Sequence, residues 1–198
     1  MKTLGVLVSG YGSNLQAILD ACAQGVIAGR VACVISSNPK AFAVERAQKA
    51  GVPYHILPKL SAEERDDHIT TVLKSHHVQG VCLAGYMRLL TAGFVKTWWD
   101  RLLNIHPSLL PSFKGLHAQR QAIMAGVKVT GCTVHFVRPA MDEGPIILQA
   151  TTPVFEDDNE DSLSQRIHAL EHRIYVQALR WYCEDRLMIK DERVLLIP

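Results

Sequence analysis

Asn104 and His106 are two polar side chains in the otherwise largely apolar stretch Arg101–Pro111. This stretch predicts a short strand that stops at Pro107, because proline cannot donate a hydrogen bond to a neighbouring strand. Alternate side chains of a strand share a face, so the amide and the imidazole should point to the same side. Together they could polarise a carbonyl group and hold the negative charge that develops when it is attacked. A purely structural, hydrogen-bonded role for His106 is the alternative.

A second candidate site follows the first apolar run, Leu4–Val8. The pattern predicts a strand, a turn at Ser9–Asn14 and then a helix with apolar residues at helical spacing. Gly10 and Gly12 let the backbone approach a ligand closely, and the amides that open the helix favour an anion. We therefore expect one phosphate group to bind here. An ordinary strand-to-helix turn is the alternative, because Gly-x-Gly alone is a weak signal.

A dinucleotide is a poorer fit to this turn than a single phosphate. The position of the third glycine in the dinucleotide motif Gly-x-Gly-x-x-Gly is occupied by Leu15. The next predicted strand, Val31–Ile35, is followed by Ser36-Ser37-Asn38, with no acidic residue to bind a ribose.

Asp142 is the best candidate carboxylate in the chain. It lies in the loop Arg138–Pro145, which has a proline near each end. An ordinary aspartate in a surface turn is the alternative, and the loop by itself favours that alternative.

His168 and His172 lie four residues apart on a predicted long helix, Ser162–Glu184, so they could share a metal ion. No third ligand is evident, and the glutamate is not placed as in His-Glu-x-x-His. We predict a partly exposed helix face here and no metal.

Strands and helices alternate along the chain in a way that would bring these side chains together. Apolar strands recur at positions 52–57, 80–85 and 102–106, with helical segments between them. The alternation predicts an α/β, Rossmann-like, mostly parallel sheet with helices on both faces, followed by a C-terminal hairpin over residues 187–197. Ligands of such sheets bind beyond the carboxyl ends of the strands, where Ser9–Asn14, Tyr86–Leu90 and Asn104–His106 would meet.

The composition limits the class of protein. A chain of 198 residues, 48% hydrophobic and 20% charged, predicts one globular domain over residues 1–198. The net charge of +2 and the lack of a Lys/Arg cluster argue against nucleic acid as a partner. Five scattered cysteines without a Cys-x-x-Cys pair argue against disulfides and a zinc knuckle. No apolar run approaches the ~20 residues of a membrane span, so we expect a cytoplasmic protein that acts on small molecules.

Four segments of the chain, in the same order, closely resemble the phosphoribosylglycinamide formyltransferases of purine biosynthesis. These segments are Gly10–Ile18, Leu83–Arg88, Leu103–Pro111 and Met141–Ile147. The motif Asn-Ile-His-Pro-Ser-Leu-Leu-Pro is shared by enzymes that use 10-formyltetrahydrofolate, including methionyl-tRNA formyltransferase and formyltetrahydrofolate hydrolase, so it indicates only the chemistry. The Gly-Ser-Asn turn and the lack of an appended tRNA-binding domain or leading regulatory domain favour glycinamide ribonucleotide as the acceptor.

This resemblance implies a role for each segment. The co-substrate would be 10-formyltetrahydrofolate, and no metal would be needed. The glycinamide ribonucleotide would be bound by Tyr11, Gly12, Ser13, Asn14 and Glu171. The folate would contact Met87, Arg88, Leu89, Leu90, Asn104, Arg138, Pro139, Ala140, Met141 and Asp142, with its pteridine near Leu83, Leu102 and Val137. The catalytic residues would be Asn104, His106 and Asp142.

The chain departs from the family pattern at two places. Family members commonly have a folate-binding arginine where this chain has Ala62, and Arg65 could replace it only with a local shift. Tyr11 stands where the family often has asparagine or arginine, so the side chain at this position differs from the family's. Phosphate binding by the backbone of the turn does not depend on that side chain.

Two other functions compete with formyl transfer to the ribonucleotide. A hydrolase would use water as the acceptor of the same formyl group. A non-catalytic nucleotide-binding module would use only the glycine turn, and it would have no need for Asn104, His106 and Asp142 as a set.

Overall fold

A seven-stranded sheet runs through the middle of the computed structural model, which describes residues 1–198. Its strands are β1 (Lys2–Val8), β2 (Gly29–Ser36), β3 (Tyr54–Ile56), β4 (Gly80–Leu83), β5 (Leu102–His106), β6 (Val129–Phe136) and β7 (Ile146–Pro153). They lie in the order β3-β2-β1-β4-β5-β6-β7. The first five are parallel, and β6 and β7 run antiparallel to their neighbours. The predicted mostly parallel α/β sheet is confirmed.

Six helices connect or follow these strands: α1 (Ser13–Ala23), α2 (Phe42–Lys49), α3 (Ala62–Ser75), α4 (Ala92–Thr97), α5 (Ala118–Met124) and α6 (Glu160–Cys183). Helix α3 begins with a capping box formed by Ser61 and Glu64. None of the six helices is long and apolar enough to cross a membrane. A separate two-stranded hairpin, β8 (Leu187–Lys190) and β9 (Arg193–Leu196), confirms the predicted C-terminal element.

Hydrophobic cores cover both faces of the sheet, because buried strands alternate their side chains between the faces. In β1, Leu4, Val6 and Val8 belong to a core of 29 residues that includes apolar residues of α1 and α6. Leu7 belongs to a core of 15 residues on the other side, together with residues of α3 and α4. The predicted helices on both faces are therefore confirmed.

The order of the strands reverses beside β1, which has β2 on one side and β4 on the other. The loops that leave β1 and β4 diverge at such a point and leave a crevice between them. Their ends are joined where the Met87 amide donates a hydrogen bond of 2.9 Å to Ser9 Oγ. The Tyr86–Leu90 and Ser9–Asn14 loops therefore lie next to each other at the carboxyl ends of β4 and β1.

Candidate active site

Asn104 and His106 lie at the carboxyl end of β5, with β4 on one side and β6 on the other. His106 is buried, and Asn104 is partly buried. Pro107 follows directly after the last residue of the strand, as the sequence predicts. The two side chains are thus fixed by a central strand rather than by a mobile loop.

Both ring nitrogens of His106 face oxygen acceptors. Nε2 lies 2.9 Å from the carbonyl oxygen of Phe113, and Nδ1 lies 3.4 Å from Asp142 Oδ2. Phe113 therefore fixes the orientation of the ring, and the carboxylate of Asp142 faces its other nitrogen.

Asp142 lies in the loop between β6 and β7, yet its side chain is only 12% exposed. Besides facing His106, its Oδ2 accepts a hydrogen bond of 2.7 Å from the amide of Gly115. Asp142 therefore has buried partners that an ordinary surface-turn aspartate would lack. The three residues singled out for catalysis meet at one end of β5.

His135 is a member of this cluster that the sequence left ambiguous. It pairs with Asn104 across β5 and β6, and its Nε2 lies 3.2 Å from Asn104 Nδ2. His135 Nδ1 donates to the carbonyl of Phe136 at 2.9 Å, which leaves Nε2 free to accept from the amide. Burial, the largest influence, lowers the pKa of His135 and keeps it neutral. One N–H of Asn104 therefore donates to His135, and this bond fixes the orientation of the amide.

The glycine loop, Ser9–Asn14, leads directly into α1, whose N-cap is Gly12. The first turn of a helix leaves backbone N–H groups without acceptors in the helix, which is the arrangement that binds phosphate. Gly12 has φ of +74°, and a Cβ placed there would lie 2.6 Å from the Cβ of Ala43. This close approach to α2 and the positive φ are the reasons for glycine at this position.

Asn14 links the glycine loop to α6. Its Nδ2 donates a hydrogen bond of 2.8 Å to Glu171 Oε2, and Glu171 is only 4% exposed. Burial raises the pKa of Glu171 to about 7, against the opposite effect of the bond from Asn14. The buried Oδ1 of Asn14 has no hydrogen-bond partner. This pair therefore offers acceptor atoms to a ligand that carries hydroxyl or amino groups.

Arg46 of α2 is a second residue that the sequence reasoning missed. Its Nε donates to the carbonyl of Tyr11 at 3.0 Å, and its Nη1 donates to Gln16 Oε1 at 3.0 Å. A positive charge thus lies beside the glycine loop. No local motif marks Arg46, because its position depends on how α2 packs against a loop about 35 residues away.

Met87–Leu90, the segment predicted to bind folate, follows β4 and is joined to the glycine loop by the bond from Met87 to Ser9. Met87 and Leu89 are 66% and 75% exposed, which is unusual for side chains of this size. Arg65 Nη2 donates a hydrogen bond of 2.6 Å to the Leu89 carbonyl, so Arg65 does reach this segment. Its contact supports the backbone of the loop.

Comparison with known proteins shows the family. Residues 2–179 match the family model described as formyl transferase. The chain belongs to the formyl transferase family.

Individual members of the family match over nearly the whole chain. The phosphoribosylglycinamide formyltransferase of Escherichia coli (strain K12) is 43% identical over 194 residues, which is 96% of this chain and 92% of that protein. A crystal structure of glycinamide ribonucleotide transformylase 1 from Symbiobacterium toebii superposes with a TM-score of 0.98 at 51% identity, covering 100% of this chain and 95% of that chain.

A much longer relative contains a matching segment. The trifunctional purine biosynthetic protein adenosine-3 of Drosophila melanogaster is 48% identical over 197 residues, which is 96% of this chain. The chain spans only 14% of the length of that protein.

Arg138, which was expected to contact folate, has a side chain that is engaged within the protein. This side chain is only 8% exposed; it pairs with Asp100 at 2.9 Å and Glu192 at 2.8 Å, and its guanidinium carbon lies 4.0 Å from the centre of the Trp99 ring. The cause is the antiparallel direction of β6, which brings its carboxyl end beside the start of β5. A folate contact at Arg138 could therefore come only from its backbone.

Further side chains of reactive type are a buried cysteine and two histidines. Cys132 is fully buried, and burial raises its pKa to about 12, so its thiol stays protonated and is a poor nucleophile. No group of three or more His, Cys, Asp or Glu side chains is arranged to hold a metal ion. His168 and His172 lie on α6, outside the cluster around His106.

Proposed function

We propose that the protein transfers the formyl group of 10-formyltetrahydrofolate to the amine of N1-(5-phospho-D-ribosyl)glycinamide, a step of de novo purine biosynthesis. The observation that carries the proposal is the convergence of Asn104, His106 and Asp142 at the end of β5, with Asp142 Oδ2 3.4 Å from His106 Nδ1. A binding protein without chemistry would have no use for an amide, an imidazole and a carboxylate held together in this way.

The reaction begins when the neutral amine of the ribonucleotide attacks the formyl carbon bound to N10 of the folate. A carbon–nitrogen bond forms, and the carbonyl electrons move to oxygen to give a tetrahedral oxyanion. The remaining N–H of Asn104 and the protonated His106 stabilise that negative charge. Donors fixed before the reaction are effective because they need little reorganisation as the charge develops.

The intermediate then breaks down by loss of N10. The attacking nitrogen gives up a proton, N10 gains one, and the bond between N10 and the formyl carbon breaks, so the products are the formylated ribonucleotide and tetrahydrofolate. Asp142 carries this proton directly or through an ordered water.

The acceptor substrate lies along the glycine loop in this proposal. Its phosphate binds the backbone amides of Gly12, Ser13 and Asn14, where the N-terminus of α1 favours an anion. The unpaired Oδ1 of Asn14 and the buried carboxyl of Glu171 accept hydrogen bonds from the sugar or the amine. The folate occupies the opposite side of the crevice, between Met87–Leu90 and the loop that carries Asp142.

An acceptor assay tests the proposal against its rivals. Purified protein is given 10-formyltetrahydrofolate with glycinamide ribonucleotide, with water alone, or with an amino sugar, and the release of tetrahydrofolate is followed. We expect rapid release only with glycinamide ribonucleotide. Equal release without any added acceptor would indicate a hydrolase, and binding of the ribonucleotide without release would indicate a non-catalytic module.

A further inference from the structure

Tyr11 is an exposed aromatic residue at the centre of the glycine loop. Its side chain is 68% exposed, although a ring of this size usually buries most of its surface. It stacks on Phe42, with ring centres 5.2 Å apart and an angle of 14° between the rings. Phe42 is the first residue of α2, so the stack joins the glycine loop to a second element.

Arg46 lies one turn further along α2 and packs against the same two rings. Its guanidinium carbon is 4.6 Å from the centre of the Tyr11 ring and 4.8 Å from that of Phe42. Distances below about 6 Å allow a favourable cation–π interaction. The two aromatic rings and the two hydrogen bonds of Arg46 together restrict a side chain that would otherwise be flexible.

The guanidinium retains donors that nothing in the protein uses. Of its three nitrogens, Nε and Nη1 bond to Tyr11 and Gln16, and Nη2 has no partner. No carboxylate forms an ion pair with Arg46, in contrast to Arg138 and Arg166, whose charges are neutralised. Arg46 therefore brings an unneutralised positive charge to the glycine loop.

The backbone keeps α2 and the glycine loop together. The amide of Ala43 donates a hydrogen bond of 3.2 Å to the carbonyl of Gly10. Gly12 lies against Ala43 so closely that it has no room for a side chain. Arg46 is therefore presented from a rigid platform, which lowers the entropy lost when it binds an anion.

We propose that Tyr11 is a positioning residue: with Phe42 it holds Arg46 beside the phosphate of the substrate, and its own side chain makes no essential contact with the substrate. This inference rests on the proposed function, because the phosphate belongs to the ribonucleotide. A positioning role explains why an aromatic residue is accommodated in a loop that binds phosphate through its backbone. An arginine held in one orientation can bind phosphate through its unused nitrogen.

A double-mutant cycle with Tyr11→Leu and Arg46→Met tests the proposal. A cation–π contact near the surface contributes modestly, so we expect Tyr11→Leu to raise the KM for glycinamide ribonucleotide by about two- to fivefold. The kcat and the KM for 10-formyltetrahydrofolate should stay unchanged. The same Tyr11→Leu change should alter KM by less than about 1.5-fold when Arg46 is already methionine.

Tyr11→Phe is the matched control, because it keeps the ring and loses only the hydroxyl. Its KM should equal that of the unmodified protein. An equal loss in Tyr11→Phe and Tyr11→Leu would mean that the hydroxyl binds the substrate directly and would overturn the proposal. An unchanged KM in Tyr11→Leu would also overturn the proposal. The same holds if Tyr11→Leu changes the KM equally in the presence of Arg46 and in the Arg46→Met background.

A second readout separates this inference from the proposed function. Ribose 5-phosphate binding by the same four proteins of the cycle is measured by isothermal titration calorimetry. The unmodified protein could bind ribose 5-phosphate and yet fail to formylate the ribonucleotide. The proposed function would then fail, while the ribose 5-phosphate affinities of the four proteins would still test the role of Tyr11. If the unmodified protein does not bind ribose 5-phosphate, the positioning role of Tyr11 is overturned.

Discussion

The reactive side chains owe their orientation to hydrogen bonds from residues distant in sequence. Asn104 is held by His135, 31 residues later, and His106 lies between Phe113 and Asp142. These neighbours leave little freedom in the amide or the imidazole. The chemistry therefore depends on residues that would never touch the substrate as well as on those that do.

Replacing Asp142 by asparagine removes the negative charge that faces His106 and keeps the shape of the side chain. The amide oxygen of asparagine can still accept from Gly115, so we expect the loop to remain in place. Turnover should fall by about 10²-fold or more, the usual effect of losing a group that moves protons. Binding of both substrates should change by only a few-fold. Steady-state kinetics with each substrate varied checks this, and unchanged turnover would remove Asp142 from the mechanism.

Replacing His135 by leucine removes the acceptor that orients Asn104. We expect kcat to fall by about 10- to 100-fold, because a displaced donor no longer faces the developing oxyanion. His135→Gln offers an amide oxygen as acceptor and should restore part of the loss. Measurements of kcat at saturation for both variants test this; equal activity of His135→Leu and the unmodified protein would show that Asn104 needs no such support.

At the scale of elements, the glycine loop works because α2 packs directly against it. Gly12 combines a φ of +74° with a contact too close for any side chain, whereas a Cβ at Gly10 would have no atom within 4 Å. The two glycines of one short motif therefore serve different purposes. Gly12 sets the distance between the loop and α2, and Gly10 has no such constraint.

Gly12→Ala should shift the glycine loop away from α2. The positive φ alone costs about 1–2 kcal/mol for a residue with a Cβ, and the clash with Ala43 adds to that cost. We expect lower stability in urea unfolding and a higher KM for the ribonucleotide. Gly10→Ala is the control and should leave both close to their original values. Equal effects of the two substitutions would contradict the role given to Gly12.

The sequence predicted those elements whose signals are local. Two examples are the strand that stops at Pro107 and the glycine loop before α1, which lie where their residue patterns indicate. The direction of β6 could not be predicted, because alternating side chains look the same in parallel and antiparallel strands. The roles of His135 and Arg138 both depend on that direction, so they became clear only from the fold.

Over the whole molecule, the hydrophobic core meets the proposed substrate site at Glu171. This carboxyl lies on α6 among residues of the larger core, including Ile167, Ile174 and Tyr175. A carboxylate buried there costs free energy unless it is fully paired, and Asn14 supplies only one bond. The protein thus keeps an acceptor for its ligand at the expense of its own stability.

Glu171 should make stability depend on pH. Its pKa is raised to about 7 in the folded protein from an ordinary value of 4.5. Between these values the folded state holds a proton that the unfolded state has lost, so the contribution of Glu171 to stability falls as pH rises and levels off above pH 7. The slope is about 1.4 kcal/mol per pH unit within that window.

Glu171→Gln tests this dependence because glutamine has a similar shape and does not titrate. The difference in unfolding free energy between the unmodified protein and the variant is measured in urea at pH 5 and pH 7.5. We expect the unmodified protein to lose roughly 2–3 kcal/mol relative to the variant over that interval. A difference that stays constant would show that Glu171 titrates at its ordinary pKa.

The oxygen Oδ2 of Asp142 has two partners, the backbone of Gly115 and the ring of His106. Any shift of this one oxygen changes both contacts at once. The loop between β6 and β7 and the imidazole on β5 are therefore coupled in position through a single atom.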